Sequence, residues 1–531
     1  MLFEIQNIPY QQTNCFSKIV LDYIAQNPAL QSFYAFPPAT DGFKQAIEKK
    51  QQQKIDREAL VNVLEEQYKS VEINSLVKEN IQSLLLQNTF TICTAHQPNL
   101  FTGPLYFIYK ILHAIKLAEH LKTQFADLHF VPVYYMGSED ADLDELNHTY
   151  VQGKKYEWQT KQTGAVGRMI IDKQLVALID ELEGQLTTAP FGQEVIALLR
   201  ACYQPGRNIQ TATFELVNAL FGRYGLIVLI PDNAVLKRSM ISIFEDDIFQ
   251  QNPSQIVELT CQRLSQQYNV QANPREINLF YLKDNIRERI VKNNHTYFVH
   301  NTDIHFTADE IKAELQQHPE RFSPNVILRG LFQETILPNI AFIGGGGEIA
   351  YWLQLKDLFD HYTVPYPILV LRNSFLIIEK RWQSYTQKLQ LSAEQLFQTD
   401  IEIINAYLQR EGRKPQLNGE LDKLKSIYEE LKQVASSVDI TLNQHVEALK
   451  VKALSQLINL EQKMLRAERK KHDVVRNQIA TVKQQLFPKN NLQERVENFS
   501  SFYAKWGSIF IDDLYNSSLS LEQQFAVLFE G

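Results

Sequence analysis

Short, wholly apolar runs recur along the first three quarters of the chain, and longer segments with apolar residues at helical spacing separate them. Strands that are apolar on both faces are typical of a parallel sheet covered by helices on each side. The pattern therefore predicts the α/β class with a parallel-sheet core. The runs that we predict as strands cover residues 90–94, 131–135, 226–230, 341–343 and 367–371.

The first strand leads through a polar loop into a helix. We predict Thr102 as the N-cap and place Pro104 in the first turn, where a missing N–H is tolerated. A strand, a glycine-containing loop and a helix start form the usual crevice for an anion or nucleotide. Because the loop lacks the Walker and dinucleotide fingerprints, an ordinary strand–helix turn is the alternative. The candidate binding residues here are His96, Gln97, Asn99, Gly103 and Lys110.

Polar motifs also follow the other four predicted strands, at residues 137–148, Asp232, residues 344–348 and Arg372. In an open α/β sheet the ligand crevice lies outside the carboxyl ends of the strands. Segments far apart in the sequence are therefore expected to meet at one edge of the sheet. This convergence is the main indication of a catalytic or binding site.

An acidic cluster follows the second strand. Carboxylates gathered beside a substrate suit a magnesium site or a general base, with Glu139 and Asp140 as the candidates. The alternative is a solvated loop in which Asp142 begins a helix. Asn147 and His148 add a donor and a titratable group, although the favoured interpretation of His148 is a structural histidine. The cluster consists of Glu139, Asp140, Asp142, Asp144 and Glu145.

Four glycines at residues 344–347 precede a predicted helix and allow backbone N–H groups to approach an anion. Glu348 follows them and is a candidate to meet a substrate amine; a flexible turn with a first-turn carboxylate is the alternative. Arg329 and Arg372 offer planar guanidinium groups for a carboxylate or phosphate. Within the glycine run we take Gly344, Gly345 and Gly347 as binding residues.

The chain changes character at about residue 378, where glycine and proline become rare and apolar residues recur every seven positions. Such a repeat predicts long helices in a coiled coil, and Asp439 is a possible cap for a returning helix. We therefore expect an antiparallel helical arm that pairs two chains in a homodimer. The alternative is that a helix at residues 380–410 covers the apolar stripe. The repeat consists of Val446, Ala453, Leu460, Ala467 and Val474.

The composition narrows the class of protein. The net charge of −8 argues against a general nucleic-acid binder, and no apolar run is long enough for a membrane span. The start of the chain lacks the pattern of a secretory signal. The four cysteines form no CxxC pair, which fits a reducing cytoplasm. We expect a cytoplasmic protein without nucleic-acid or membrane partners.

Five motifs together resemble one family, the cysteine-adding enzymes (cysteine ligases) of bacillithiol biosynthesis. The motifs run in order from residue 90 to about 476, so the resemblance spans most of the chain. The fourth of them places Asn325, Gln333, Glu334 and Trp352 among the candidate binding residues. The motifs read TAHQPNLFTGPLYFIYK, SEDADLDELNH, LFGRYGLIVLIPD, SPNVILRGLFQETILPNIAFIGGGGEIAYWLQLK and RAERKKH.

The resemblance implies a Rossmann-like core with two inserted segments and a coiled-coil domain. It also implies that cysteine is joined to the amine of glucosaminyl-malate, the last step of bacillithiol synthesis, with ATP as the expected activator and Mg²⁺ as a possible cofactor. In this scheme Lys110 and the glycines bind phosphate, Glu139 and Asp140 hold magnesium or the amine, and Arg329 binds malate. A coiled-coil scaffold whose core only binds a nucleotide is the alternative.

Two positions depart from the family pattern. The family often has Gln-Gln where this chain has His96 and Gln97, and a proline where it has Gly346. An essential acid is therefore not assigned to His96. The predicted units are a helical segment 1–88, a core 89–377 with insertions at about 150–222 and 250–322, an arm 378–487 and a helical tail 488–531.

Overall fold

The structure of the chain is a computed structural model that describes residues 2–531. Its strands form a five-stranded parallel sheet, a five-stranded antiparallel sheet, a three-stranded sheet and a two-stranded hairpin. In chain order the strands are β1 (Phe3–Pro9), β2 (Thr89–His96), β3 (His129–Met136), β4 (His148–Val151), β5 (Lys154–Glu157), β6 (Ile227–Leu229), β7 (Leu279–Lys283), β8 (Ile286–Asn293), β9 (Thr296–Val299), β10 (His305–Thr307), β11 (Phe322–Pro324), β12 (Asn339–Gly344), β13 (Ile368–Leu371), β14 (Phe375–Ile378) and β15 (Gln524–Glu530).

Helices surround these strands and build the arm. Up to the end of the core they are α1 (Lys18–Ile24), α2 (Thr40–Lys50), α3 (Arg57–Tyr68), α4 (Ser75–Ser83), α5 (Tyr106–Gln124), α6 (Leu143–Leu146), α7 (Lys173–Leu186), α8 (Gly192–Cys202), α9 (Ile209–Phe221), α10 (Ala234–Lys237), α11 (Ile241–Phe249), α12 (Asn252–Leu264), α13 (Ala308–Gln317), α14 (Val326–Ile336), α15 (Gly346–Trp352) and α16 (Lys356–His361). Beyond the core they are α17 (Lys380–Lys388), α18 (Asp400–Arg410), α19 (Asn418–Val438), α20 (Leu442–Lys471), α21 (Asp473–Leu486), α22 (Phe499–Trp506) and α23 (Ile509–Ser517).

The central sheet has the strand order β6-β3-β2-β12-β13, and all neighbours are parallel. Counted along the chain this is the order 3-2-1-4-5 of the doubly wound Rossmann fold. The predicted α/β class with a parallel sheet is confirmed. The strands are buried along almost their whole length, which explains why they were visible as uninterrupted apolar runs.

A second sheet joins the two ends of the chain. Strand β1 pairs antiparallel with β15, with Phe3 opposite Glu530, and β15 pairs parallel with β14. We predicted helical segments at residues 1–88 and 488–531; these contain helices, but the prediction missed the strands β1 and β15. The reason is physical: these strands are stabilised by partners more than 500 residues away, which no local pattern reveals.

The loop after β2 also differs from its prediction. Helix α5 begins at Tyr106, its N-cap is Leu105 without a side-chain cap, and Thr102 has a φ of 72°. Thr102 is therefore not the N-cap. The backbone of this loop is satisfied instead by the C-terminal part of the chain, because Leu105 N–H donates to Glu497 O at 2.8 Å.

Two insertions flank the carboxyl edge of the central sheet. The first contains the antiparallel hairpin β4–β5 and helices α7–α9, and the second contains α12, β7–β10 and α13. In the second insertion, β8 pairs with β7, and β7 pairs with β11 directly before α14. The insertions therefore stand above the ends of the core strands.

Helices α19 and α20 form the predicted antiparallel arm. Both lie within the described part of the chain, and neither buries a side chain. Helix α18 covers only the base of the arm, where Ile403 and Ile404 form a small core with Ile479. Leu460 is 47% exposed and Met464 is 39% exposed. Within residues 2–531, no helix has an apolar stretch long enough to cross a bilayer.

Candidate functional site

A cavity of about 680 Å³ opens at the carboxyl edge of the central sheet. Its floor lies between β2 and β12, where the strand order reverses, which is the usual position of a ligand crevice in this type of sheet. Small-molecule pockets span roughly 300–1,000 Å³, so the volume suits one or two substrates of metabolite size. The residues around it come from all five core strand ends or the loops that follow, and from the second insertion and the C-terminal part.

His96 ends β2 and lies at the floor of the cavity. Its Nε2 is 3.3 Å from the Tyr106 hydroxyl, at the start of α5. Burial lowers the pKa of His96 well below its ordinary range, and the Lys110 and Arg372 cations act in the same direction. The imidazole is therefore neutral at physiological pH and serves as a hydrogen-bonding group rather than a cation.

The glycine run turns from β12 into α15 beside His96. Gly345 N–H donates to Glu348 Oε2 at 2.9 Å, and the Lys110 ammonium donates to the same oxygen at 2.7 Å. Lys110 also donates to Ala95 O, and its side chain is buried behind the loop rather than in the cavity wall. Burial lowers the pKa of Lys110. This lysine thus fixes Glu348 and the end of β2 against each other.

The two leading carboxylates of the acidic cluster have different surroundings. Glu139 is buried, pairs with the Lys237 ammonium and accepts a 3.0 Å hydrogen bond from Ser323 Oγ. Burial raises the pKa of the Glu139 carboxyl, and Lys237 opposes that rise. Asp140 accepts a 3.0 Å hydrogen bond from Gln97 Nε2. Glu139 is therefore a fixed wall group, whereas Asp140 is more open to a ligand.

The positions of the carboxylates in the acidic cluster decide whether it can bind magnesium. Among residues 2–531 no group of three His, Cys, Asp or Glu side chains is arranged to hold a metal ion. Glu139 already faces Lys237, and Asp140 lies 3.9 Å from the Arg287 guanidinium. Because a hard divalent cation needs several free oxygen ligands, these carboxylates do not fit a magnesium site built by the protein alone.

Four arginines line the cavity, and they differ in their counter-ions. Arg372 is buried and donates to Glu494 Oε1 at 2.7 Å, while Arg287 has Asp140 at 3.9 Å. The part of the chain that the structure describes places no carboxylate within 4.0 Å of the Arg329 or Arg495 guanidinium. Arg329 donates to the Tyr351 hydroxyl at 2.5 Å, and its buried Nη1 has no protein partner. The cavity therefore contains two guanidinium groups that are free to bind an anion.

The structure brings about half of the predicted site residues together around this cavity. They come from strand ends that are hundreds of residues apart in the sequence, as the convergence of polar motifs indicated. The predicted residues in the cavity wall are His96, Gln97, Glu139, Asp140, Asn325, Arg329, Gly345, Gly347, Glu348 and Arg372.

The remaining predicted residues lie outside the wall and have structural contacts. Glu334 is buried with Lys50 at 3.3 Å and Asn339 at 2.7 Å, and Trp352 packs against Phe342 and Tyr366. His148 lies on the hairpin, with Nδ1 3.1 Å from Asp144 O. The predicted residues outside the wall are Asn99, Gly103, Lys110, Asn147, His148, Gln333, Glu334, Gly344 and Trp352.

Several wall residues were missed by the sequence analysis. Tyr106 could have been predicted as a wall residue, because it lies at the start of the helix that follows the first strand of the central sheet. Arg287 comes from β8 of the second insertion and Arg495 from the C-terminal part, where no local motif distinguishes them from solvated arginines. The missed residues that line the cavity include Tyr106, Tyr135, Gln271, Arg287, Tyr351 and Arg495.

Comparison with known proteins identifies the family. Residues 3–373 match the model described as "Bacillithiol biosynthesis BshC, N-terminal Rossmann-like domain". Residues 375–530 match "Bacillithiol biosynthesis BshC, C-terminal coiled-coil domain". The chain belongs to the BshC family. The predicted family is thereby confirmed, and so is the pairing of a Rossmann-like core with a coiled-coil domain.

Relatives match over nearly their full length. The chain is 39% identical to a protein of Flavobacterium johnsoniae over 524 residues, covering 98% of this chain and 99% of that one. It is 40% identical to a protein of Flavobacterium psychrophilum over 525 residues, covering 98% of both. A Cytophaga hutchinsonii protein is 39% identical over 517 residues, covering 97% of both. All three are named "Putative cysteine ligase BshC", and the predicted enzyme class, a ligase, is confirmed.

Proposed function

We propose that this enzyme joins the carboxyl group of cysteine to the amine of glucosaminyl-malate, in the last step of bacillithiol synthesis. In this reaction a carbon–nitrogen bond forms, the cysteine carboxyl group loses one oxygen, and the amine loses a proton. The observation that carries the proposal is the cavity itself. Its wall combines guanidinium groups without counter-ions, which suit an acidic substrate, with carboxylates that suit an amine.

Amide formation from a free carboxylate requires activation, and we propose ATP as the source. When bound, the nucleotide would supply a leaving group that carries away the carboxyl oxygen. The cavity volume accommodates a nucleotide, and the Gly345–Gly347 backbone at its floor allows close approach of phosphate oxygens. Lys110 would hold this loop through Glu348 rather than touch phosphate, since it is buried behind it. The carboxylates present do not fit magnesium, so none of them is assigned to that ion.

We assign the malate carboxylates to Arg329. This guanidinium is largely enclosed, has a hydroxyl as its protein partner and leaves Nη1 without an acceptor. A buried cation that lacks a counter-ion is costly, and a bound carboxylate would remove that cost through a two-bond interaction. The planar fork also orients the substrate. Arg329 would therefore bind one end of the amino sugar while its amine faces the reacting carboxyl group.

The amine end of the substrate is assigned to Asp140 and Glu348, which line the same cavity. A carboxylate there holds the amine by hydrogen bonding and can take the proton that it loses on bond formation. Glu139 acts differently, because Lys237 contacts its Oε1 and Ser323 its Oε2, whereas Lys110 and Gly345 contact only Oε2 of Glu348. We describe Glu139 as a positioning residue that fixes the end of β3 beside the cavity.

The test is a direct assay. Purified protein is incubated with glucosaminyl-malate, cysteine and ATP, and mass spectrometry detects bacillithiol. We expect product from the parent enzyme and none above background from Asp140→Asn. The matched control is Asp144→Asn, since Asp144 is an exposed carboxylate of the same loop outside the cavity wall, and it should retain parental activity. If Asp140→Asn turns over at the parental rate, the acidic loop is only a solvated turn; no parental product under any nucleotide condition removes the proposal.

We also propose that the enzyme acts in the cytoplasm as a homodimer. The cysteines at positions 15, 93, 202 and 261 are all free thiols, which suits a reducing compartment. The arm supports the dimer, because Leu449, Leu460 and Met464 expose an apolar stripe that α18 leaves uncovered. A second arm related by two-fold symmetry would bury this stripe.

A further inference from the structure

The chain returns from the arm to the core through a short segment at residues 493–498, which we call the return segment. It belongs to the coiled-coil domain by sequence. It nevertheless contacts three separate parts of the Rossmann-like domain: Arg372, the loop after β2 and the β4–β5 hairpin. Its residue Arg495 lines the catalytic cavity. The contacts on either side of Arg495 show how firmly this residue is placed.

On one side, the return segment holds the strand that follows the core. Gln493 accepts from Ile377 N–H at 3.0 Å and donates to Ile377 O at 3.1 Å, as a neighbouring strand would. Glu494 accepts hydrogen bonds from Arg372 at 2.7 Å and from the Phe375 N–H at 3.2 Å. The residue before Arg495 is therefore fixed to the arginine that already lines the cavity.

On the other side, the return segment holds the loop after β2 and the β4–β5 hairpin. Asn498 Nδ2 donates to Phe101 O at 2.8 Å and to Gly103 O at 2.6 Å. The Glu497 carboxylate accepts from Gln152 N–H at 2.9 Å and Gly153 N–H at 3.0 Å. Arg495 thus stands on a backbone anchored at both ends to parts of the active site.

The side chain of Arg495 is exposed and has no carboxylate within 4.0 Å among residues 2–531. Arg372 shares the cavity but is neutralised by Glu494. A guanidinium on an anchored backbone that lines a cavity and has no counter-ion is suited to bind an oxyanion bidentately. Fixing the backbone lowers the entropy cost of that binding.

We propose that Arg495 binds an oxyanion of the substrates, so that the coiled-coil domain completes the active site of the Rossmann-like domain. The inference rests on the proposed function for the identity of the substrates. Two sources share the chemistry: a carboxylate of the malate group and a phosphate of the nucleotide. Arg329 comes from the Rossmann-like domain and Arg495 from the coiled-coil domain, so a site with both arginines requires both domains.

The experiment measures binding and turnover in the full-length chain. Calorimetry gives the Kd for glucosaminyl-malate and for ATP separately, and steady-state assays give the KM for each. We expect Arg495→Ala to weaken one of them about 10- to 100-fold, the usual loss for a hydrogen bond to a charged group. Weakened glucosaminyl-malate binding assigns the carboxylate, and weakened ATP binding assigns the phosphate. The Kd of Arg495→Lys should lie between those of the parent and Arg495→Ala, because lysine keeps the charge but lacks the planar guanidinium.

The matched control is Arg238→Ala, an exposed arginine outside the cavity wall, which should bind both ligands as the parent does. Thermal melting checks that the Arg495 variants remain folded. Parental Kd and KM values for both ligands in Arg495→Ala would overturn the inference. Because calorimetry needs no turnover, a parent enzyme that binds the ligands without forming product defeats the proposed function and still decides the role of Arg495. A parent that binds neither ligand overturns both.

Discussion

The cavity edge and the arm differ in whether one chain supplies partners for their side chains. At the cavity edge, Arg372 and Glu494 are buried and pair with each other within the same chain. Along the arm, apolar side chains such as Leu449, Leu460 and Met464 are exposed, and nothing among residues 2–531 covers them. This junction is therefore formed within one chain, whereas the proposed dimer would supply the surface that covers the arm. Substitutions should separate the two regions cleanly.

The largest effect is expected on assembly. Replacing Leu460 and Met464 with Glu places charges in the proposed arm interface, and an unpaired buried charge costs several kcal/mol. Light scattering should report twice 61.5 kDa for the parent and 61.5 kDa for the variant. The free energy of unfolding of the separated chain should change little, because both positions are exposed in one chain. A parent that is already monomeric, or a dimer that survives both charges, contradicts the assignment of the arm.

The next effect concerns the core. Glu494→Ala leaves Arg372 buried without its counter-ion and should lower the free energy of unfolding by about 3–5 kcal/mol. Urea denaturation measures it, and Glu420→Ala, an exposed carboxylate of the arm, is the matched control with a change within about 0.5 kcal/mol. Similar small losses for the two variants would mean that the Arg372–Glu494 pair does not stabilise the junction of the domains.

A pH effect should follow from His113, which is buried beneath the same junction. Its Nε2 is 2.8 Å from Ser520 O, and Asn373 N–H donates to its Nδ1 at 3.1 Å. Burial lowers the pKa of His113 from 6.5 to about 4. Since the unfolded chain binds the proton more readily, stability from the neutral imidazole is fully present above pH 6.5 and is lost as the pH falls towards 4.

The measurement compares the parent with His113→Gln. Between pH 6.5 and 4 the parent should lose about 3 kcal/mol more of its free energy of unfolding than the variant does. The comparison removes the opposite contribution of Asp247, whose pKa burial raises to about 7 and which is present in both chains. Parallel pH profiles for the two chains would show that folding leaves the pKa of His113 unchanged.

The smallest effect compares two glycines. Gly103 has a φ of 67°, and an added Cβ would lie 2.7 Å from Asn99 Cβ. Gly412, at the base of the arm, has a φ of 66° and open space around it. We expect Gly103→Ala to cost about 2–3 kcal/mol and Gly412→Ala about 1 kcal/mol, because only the first adds a steric clash to backbone strain. Thermal unfolding tests the order, and equal losses would contradict it.

Sequence patterns revealed the core because its information is local. Wholly apolar strands and the polar residues at their ends, such as His96, Asp140 and Arg372, are recognisable within a few positions. The features that sequence patterns did not reveal depend on contacts between residues that are far apart in the sequence. Arg495 is placed at the cavity by contacts of its neighbours, such as that of Glu494 with Arg372, more than a hundred residues earlier. No local pattern indicated that the lysine at position 110 would be buried against Glu348.

The most direct test of the central claim, nucleotide-activated amide formation in this cavity, is isotopic. Cysteine labelled with ¹⁸O in its carboxyl group is supplied with glucosaminyl-malate and ATP, and mass spectrometry follows the label. The account predicts bacillithiol that retains one of the two labelled oxygens, with the other in AMP or inorganic phosphate. In Asp140→Asn, neither labelled bacillithiol nor the labelled nucleotide product should form. Bacillithiol formed without nucleotide consumption, or no bacillithiol from the parent enzyme, would contradict it.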